Sequence, residues 1–269
     1  MSLHRPLAAL ASLALMLSLA GCADDGVVYD TPQNPVNGNW QVSATSGSVP
    51  LPLISGSLVN GSINLGSTPV TGIFHADTTA GCATVSDLIN VSGTTNSQGV
   101  TTLTGSVAGG TLTVSGTLAP DGRSLTNATM NVSGGQCAFA SSAQAAVQNY
   151  SAVTGTYAGT FSDAKGPVMN VTASLTQAPN GDSNGNFTLS GTASLGTNTC
   201  FVSPVPVVNS LVSGGNFILT YTDNTTGNSV TATGTSSADG STLTVSNWSL
   251  TGPCGADQGT GSLTQQSGS

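Results

Sequence analysis

Few side chains in this sequence can perform acid–base or nucleophilic chemistry, and histidine is the scarcest of them. The chain of 269 residues has two histidines, and only His75 lies outside the N-terminal segment. A Ser-His-Asp arrangement could be assembled only around His75, with Asp77 or Asp87 orienting the imidazole. The sequence has no Gly-x-Ser-x-Gly element that would expose a nucleophilic serine. Because His75 follows Ile73 and Phe74 at a predicted strand end, we expect a surface or rim histidine there.

The acidic residues occur in contexts that indicate turns rather than catalysis. All 11 of them are aspartates. Glycoside hydrolysis needs two facing carboxylates, but Asp121 and Asp239 each precede a glycine, as turn aspartates do. Segment 180–186 alternates oxygen-bearing residues like a calcium loop, yet it lacks further carboxylates and a terminal glutamate. We therefore expect a hairpin turn at 180–186, no metal or cofactor, and no enzymatic activity.

The N-terminal segment has the pattern of an export signal. A basic start precedes an apolar stretch over residues 6–19, and these 14 residues are too few to span a bilayer as a helix. The stretch ends in Leu19-Ala20-Gly21-Cys22, which resembles the lipobox of bacterial lipoprotein precursors. The resemblance implies removal of residues 1–21 as a signal peptide and attachment of diacylglycerol to the thiol of Cys22. An ordinary secretory signal beside an unmodified cysteine is the alternative.

Residues 22–36 are predicted to be a lipidated tether, because they contain two prolines and show no periodicity. In lipoproteins of the kind that the lipobox resembles, an aspartate directly after the cysteine favours retention in the inner membrane. Here that position is Ala23, which favours the outer membrane, although Asp24 and Asp25 follow. The resemblance thus implies a protein held at the bacterial cell envelope by its lipid, and it leaves open which face of the outer membrane the protein occupies.

The charge of the chain argues against several partners. Three basic residues stand against 11 acidic ones, and the net charge is −8. Nucleic-acid surfaces need clustered Lys and Arg, which are absent from this sequence. Charged residues make up only 5% of the chain, whereas coiled coils and helical bundles are rich in them. We expect contact with the membrane through the lipid anchor, and no nucleic-acid partner.

The body of the chain contains an internal duplication. Two landmarks recur at offsets of 117 or 118 residues: Gly38-Asn39-Trp40 matches Gly155-Thr156-Tyr157, and the apolar set Leu125, Met130 and Val132 matches Leu243, Trp248 and Leu250. In both apolar sets the pattern switches between odd and even positions, as it does when a β-bulge inserts one residue. We therefore divide the body into residues 37–150 and 151–269.

Strand signals dominate both copies. Apolar and hydroxyl residues alternate from Thr111 to Leu118, and turn dipeptides such as Asp121-Gly122 separate runs of this kind. About eight strand candidates per copy are typical of antiparallel barrels and sandwiches. The predicted fold class is all-β, with two tandem up-and-down barrel or sandwich domains. One continuous barrel that shares strands of both copies is the alternative, and residues 141–150 fit a helical turn or a closing strand.

Four cysteines follow the lipobox, and their spacing repeats. They are Cys82, Cys137, Cys200 and Cys254, with gaps of 55 and 54 residues within the two pairs. An even number of cysteines in an exported chain predicts disulfides. Among the three pairings, the duplication selects Cys82–Cys137 and Cys200–Cys254, because each copy then closes on itself. Zinc binding is the alternative, but the sequence offers neither C-x-x-C spacing nor a second histidine in the body.

Gly38-Asn39-Trp40 is similar to the Gly-x-Trp start of lipocalins and their calycin relatives. The resemblance implies eight-stranded barrels, with Trp40 and its counterpart Tyr157 plugging the closed ends. In lipocalins an arginine partners this tryptophan, and Arg123 is the sole candidate for that role here. An aromatic residue that begins an ordinary core strand is the alternative.

Two functions remain after these exclusions. The first is a non-catalytic structural or interaction lipoprotein that displays two rigid β-domains to a protein partner at the envelope. The second is a calycin-like carrier that holds a small apolar ligand inside a barrel. A carrier needs an unfilled apolar interior, which the sequence pattern alone does not decide. Carbohydrate binding is disfavoured because only 4% of the residues are aromatic.

Overall fold

The computed structural model describes residues 36–267, apart from 46–48, 63–65, 78–81, 85, 197–199 and 203. The predicted signal peptide, Cys22 and nearly all of the tether lie outside this range, so the lipobox assignment stays a prediction. No helix long and apolar enough to cross a membrane occurs among the described residues.

Strands β1 to β8 close into the first barrel, in which each strand is antiparallel to the next. Their bounds are β1 Gly38–Ala44, β2 Leu53–Asn60, β3 Ser67–Ala76, β4 Leu88–Asn96, β5 Val100–Val107, β6 Gly110–Leu118, β7 Ser124–Ser133 and β8 Ala143–Tyr150.

Strands β9 to β16 repeat this arrangement as the second barrel. Their bounds are β9 Gly155–Asp163, β10 Gly166–Gln177, β11 Phe187–Ser194, β12 Val205–Ser213, β13 Asn216–Asp223, β14 Asn228–Ser236, β15 Thr242–Thr251 and β16 Asp257–Gln265. The all-β prediction with two tandem antiparallel up-and-down barrels is confirmed.

Closure of each barrel excludes the single shared barrel. In the first barrel, Val42 of β1 pairs with Val147 of β8. In the second, Gly159 of β9 pairs with Leu263 of β16. Residues 143–150 therefore form the closing strand and not a helical turn. A closed barrel has no unpaired edge, so it removes the exposed backbone groups through which isolated sheets aggregate.

Hydrophobic side chains fill the interior of each barrel. Because alternate residues of a strand point to opposite faces, the apolar half of each strand lines the inside and the Ser/Thr half faces outward. The largest fully buried side chains of the first barrel include Trp40, Ile54, Phe74, Leu112 and Met130. Those of the second are Tyr157, Phe161, Phe217, Tyr221 and Trp248. Burial of each such side chain contributes about 1.5–3 kcal/mol.

A bulge interrupts the same strand pair in both barrels. Regular pairing of β6 with β7 stops after Ser115–Thr129, and that of β14 with β15 stops after Thr233–Asn247. The two pairs are 118 residues apart, as the duplication predicts. In both barrels a glycine lies opposite the bulge, on the strand that has no extra residue. A Cβ on Gly234 would lie 1.9 Å from the carbonyl oxygen of Thr244. The predicted shared bulge is thus present in both copies.

Each barrel carries its own disulfide. Cys82 is bonded to Cys137 and Cys200 to Cys254, with Cα–Cα distances of 5.2 and 5.8 Å. The pairing selected from the duplication is therefore confirmed. Each bond lies at the end of its barrel where β3 and β11 finish, opposite to the end at which β1 and β9 begin.

Candidate functional site at the junction of the barrels

Polar side chains on the outer face of the first barrel meet two turns of the second barrel, and we call this region the junction. From the first barrel it contains Asn39 and Gln41 of β1, Ser55 of β2, His75 of β3, and Asp77 just after β3. From the second barrel it contains residues 178–186 between β10 and β11 and residues 213–216 where β12 turns into β13. Outward-facing residues of a barrel are normally exposed, yet Asn39 is 1% exposed and Ser55 is 0% exposed. The turns of the second barrel have replaced solvent at these positions.

Asn39 and Gly214 hold each other across the junction. The Asn39 Nδ2 donates to the Gly214 carbonyl oxygen at 2.8 Å, and the Gly214 amide donates to Asn39 Oδ1 at 2.5 Å. Gly214 has φ +54°, and an added Cβ would lie 2.8 Å from Ser55 Cβ and 2.9 Å from Gln41 Cβ. Both the backbone conformation and the close approach therefore require glycine at this position.

A buried carboxylate lies beside this pair. The Asp77 side chain is 3% exposed; it accepts hydrogen bonds from the Ser55 hydroxyl and, at 3.1 Å, from Gln41 Nε2. Because the Ser55 hydroxyl has one proton, it accepts from Ser213 of the second barrel, 3.0 Å away. The Tyr150 hydroxyl donates to Gln41 Oε1 at 3.0 Å. Burial raises the pKa of Asp77, and the hydrogen bonds from Ser55 and Gln41 and the nearby His75 oppose that rise.

His75 links the same carboxylate to the second barrel. Its Nδ1 lies 3.2 Å from the carbonyl oxygen of Asn184, so this nitrogen carries the proton and donates. Its Nε2 lies 3.8 Å from Asp77 Oδ1. The imidazole is 13% exposed, and it therefore lies at the rim of the junction with one nitrogen toward each barrel.

Serine, histidine and aspartate thus come together, but not in a catalytic order. The Ser55 hydroxyl donates to the Asp77 carboxylate and not to the imidazole, so His75 is not placed to take its proton as the histidine of a Ser-His-Asp triad does. Ser55 is also sealed from solvent. Asp87, the other candidate orienter, accepts a hydrogen bond from the amide of Thr84 at 2.7 Å and thus serves a local turn. These contacts are structural, and the absence of enzymatic activity stays a prediction.

A groove of about 560 Å³ opens next to the junction, along the linker 151–154. Its lining is mixed, and Arg123, Asn149 and Gln177 are among its polar residues. The Arg123 backbone is fixed, because its amide donates to Asp121 Oδ1 at 2.9 Å and its carbonyl accepts from the Asn149 amide at 2.8 Å. The guanidinium is exposed in the groove.

The structure gives the two predicted barrel-end aromatics backbone partners. The Trp40 indole N–H donates to the carbonyl oxygen of Val36 at 2.7 Å, and the Tyr157 hydroxyl donates to that of Gly240 at 2.7 Å. Arg123, the sole candidate for an arginine partner of Trp40, is exposed, and the indole N–H is satisfied by the Val36 carbonyl instead. Both rings are buried at the barrel ends where β1 and β9 begin.

Polar contacts also organise the opposite end of the second barrel. Asn228 bridges the disulfide, with Nδ2 donating to the Cys200 carbonyl at 2.7 Å and Oδ1 accepting from the Cys254 amide at 3.0 Å. The Asp223 carboxylate accepts from the amides of Val202 and Thr225, which lower its pKa to about 2. The described residues contain no cluster of three or more His, Cys, Asp or Glu side chains arranged for a metal ion.

The segment with calcium-loop character is a self-contained turn. Asp182 Oδ1 accepts from the amides of Asn184 and Asn186 at 2.8 and 2.9 Å. The carboxylate is therefore used within its own loop, as the turn interpretation predicts.

Sequence analysis missed the junction, although the duplication held a signal for it. Asn39 and Gln41 occupy positions where the second copy has Thr156 and Ala158. Strand pairing shows which residue matches His75. Ser55 pairs with His75 and the equivalent Thr172 pairs with Ser194, so Ser194 is the counterpart of His75 in the second copy. Where one copy has amide or ionisable side chains at positions that are small or hydroxyl-bearing in the other copy, that face makes a specific contact in the first copy alone.

Comparison with known proteins found no matching family model, no matching curated protein and no matching solved structure.

Proposed function

We propose that the protein is a lipid-anchored lipoprotein of the bacterial cell envelope that acts as a non-catalytic structural or interaction module. The anchor is Cys22 of the lipobox, and the residue after it favours the outer membrane. Two disulfides support export to an oxidising compartment. The net charge of −8 suits a soluble body and disfavours binding to anionic lipid headgroups.

The junction carries the proposal of an interaction module. Buried hydrogen bonds such as that between Asn39 and Gly214 connect the two barrels, and residues 31–269 form one compact unit. Buried polar groups that are mutually satisfied fix one arrangement, because any other leaves them without partners. Two barrels held in a fixed arrangement present a defined surface to a protein partner, and the groove beside Arg123 is part of that surface.

Filled interiors support a module more than a carrier. In each barrel the inward-facing side chains form one continuous hydrophobic cluster that includes a tryptophan and other large residues. Eight-stranded barrels are just wide enough for side chains to fill. A ligand the size of a lipid or a terpene would have to displace several of these side chains.

A carrier remains the second candidate because of one observation in the second barrel. The Tyr221 hydroxyl is fully buried and makes no hydrogen bond among the described residues, and burial raises its pKa, so it stays protonated. An unpaired buried hydroxyl costs about 1–3 kcal/mol. A small ligand with a hydrogen-bond acceptor would remove that cost. A carrier would be isolated together with its ligand, whereas the proposed module would not.

Replacing the lipidated residue tests the anchor directly. We expect the Cys22→Ser protein to move from the membrane to the soluble fraction, because the acyl chains supply about 0.8 kcal/mol per buried methylene and no other described segment has the features of an anchor. Fractionation of expressing bacteria with an antibody to the body measures this. The matched control is Ser18→Ala, which lies in the same signal and leaves the lipobox intact. Retention of the Cys22→Ser protein on membranes would contradict lipid anchoring.

A further inference from the structure

The groove next to the junction adjoins the point where the tether joins the first barrel. Asn37 and Gly38, the first residues after the tether, belong to the lining of the groove. Val36 is 1% exposed, and its carbonyl accepts the indole N–H of Trp40. The end of the tether is therefore fixed beside the groove.

The guanidinium of Arg123 is the cation of this groove. It is exposed, and it forms no ion pair among the described residues, where His75 and Asp77 make the only such contact. The Asp121 carboxylate shares the lining, but it accepts from the backbone amide of Arg123 and not from the guanidinium. A guanidinium presents a planar fork of N–H donors that matches a carboxylate. The groove can therefore accept a further carboxylate.

The tether supplies carboxylates and no cation. Residues 22–35, which lie outside the described range, contain Asp24, Asp25 and Asp30 and no lysine or arginine. Asp30 is the nearest of the three to the groove, six residues before Val36. Six extended residues span about 20 Å, a length that covers a groove of about 560 Å³ that is bordered by Asn37.

We propose that the tether docks in this groove, with the Asp30 carboxylate paired with the Arg123 guanidinium. The ion pair sets the register of the docked segment. Apolar groups of the lining, such as Ala178 and Pro179, offer a surface to the neighbouring Tyr29. Attachment at Val36 makes the docking intramolecular, which lowers its entropic cost.

Docking would shorten the free part of the membrane anchor. The extended chain spans about 50 Å from Cys22 to Val36, but only about 28 Å from Cys22 to Asp30. In the lipidated protein the groove would thus stay on the membrane side of the body, and a partner at the groove would have to displace the tether. This consequence rests on the proposed lipid anchor, whereas the docking itself does not.

Chymotrypsin cleavage after Tyr29 tests the docking, because a protease cuts the free form of the segment and the rate follows the population of that form. The mature chain with Cys22→Ser is used, since it carries no lipid and leaves residues 23–269 unchanged. Mass spectrometry follows the formation of the 30–269 fragment at low and at high salt. Salt screens an exposed ion pair, so cleavage should become about two- to fivefold faster at high salt.

Variants assign this salt response to the two charges. Arg123→Gln should be cleaved at the fast rate at both salt concentrations. Asp30→Asn should also lose the response, and the double variant should lose no more than either single variant. Lys165→Gln is the matched control, because it removes the other cation of the body, between β9 and β10, and it should respond to salt like the parent chain.

Two results would overturn the proposal: an Arg123→Gln chain that keeps the salt response of the parent chain, or a Lys165→Gln chain that loses it to the same extent as Arg123→Gln. Neither result depends on lipidation. Retention of the Cys22→Ser protein on membranes would instead contradict the anchor and leave the docking in place.

Discussion

A few residue contacts determine how the two barrels pack against each other. Gly214 donates and accepts one hydrogen bond with Asn39, and its missing side chain lets Ser55 and Gln41 approach. At the barrel ends, the polar groups of Trp40 and Tyr157 each donate a hydrogen bond to a backbone carbonyl, so their rings can stay in the core. Most hydrogen bonds between the barrels join neutral groups, such as those of Asn39 with Gly214 and of Ser55 with Ser213.

Replacement of Gly214 by alanine should loosen the junction more than the turn conformation alone explains. The added Cβ would lie within 3 Å of Ser55 and Gln41, and overpacking of this kind costs about 1–3 kcal/mol beyond the left-handed strain of about 1–2 kcal/mol. Gly109→Ala is the matched control, because Gly109 has φ +78° and nothing within 4 Å of the added atom. Urea unfolding of both variants measures the difference. Equal losses of unfolding free energy would show that the junction contact is unimportant.

The residues of the junction could not be predicted from their surroundings in the sequence. Asn39, Gln41 and Ser55 occupy the outward positions of strands, where polar residues are expected whether or not anything covers them. The turn that covers Asn39 follows 175 residues later in the chain. His75 and Asp77 were recognised as the candidates for chemistry, but only the structure shows that Ser55 binds the carboxylate and bypasses the imidazole.

The sequence pattern was sufficient to predict the strands, the bulge and the disulfide pairing. Alternation of apolar and hydroxyl residues is a local property, so it placed the strands and even the bulge opposite Gly116 and Gly234. The duplication then selected the disulfide pairing, because each bond had to close its own copy. Local patterns did not predict how each barrel closes. Residues 143–150 complete the first barrel because they pair with β1, which is distant in the sequence.

Each disulfide should stabilise its own barrel. Loops of 55 and 54 residues correspond to about 4 kcal/mol each in the chain-entropy model, and Asn228 adds hydrogen bonds to both halves of Cys200–Cys254. The chain has two tryptophans, Trp40 in the first core and Trp248 in the second, which report on the barrels separately.

Replacing Cys200 and Cys254 by serine should therefore lower the denaturant midpoint that Trp248 reports and leave that of Trp40 in place. The two signals are separated in Trp40→Phe and Trp248→Phe backgrounds. The matched control replaces Cys82 and Cys137, which should shift the Trp40 signal instead. Identical shifts of both signals in either variant would contradict separate stabilisation.

The whole molecule combines two filled barrels, one polar junction and a surface rich in uncharged hydroxyl groups. The interiors are occupied by the protein's own side chains, and the barrels are joined by contacts that are buried and specific. These features favour the proposed module over a carrier.

Native mass spectrometry of residues 31–269, purified from the periplasm of an expressing bacterium, tests the central claim most directly. The mass of the folded body is compared with that of the denatured chain whose disulfides are intact. A module with filled barrels predicts identical masses. A reproducible extra mass of a few hundred daltons that is lost on denaturation would contradict this account and would identify the protein as a carrier.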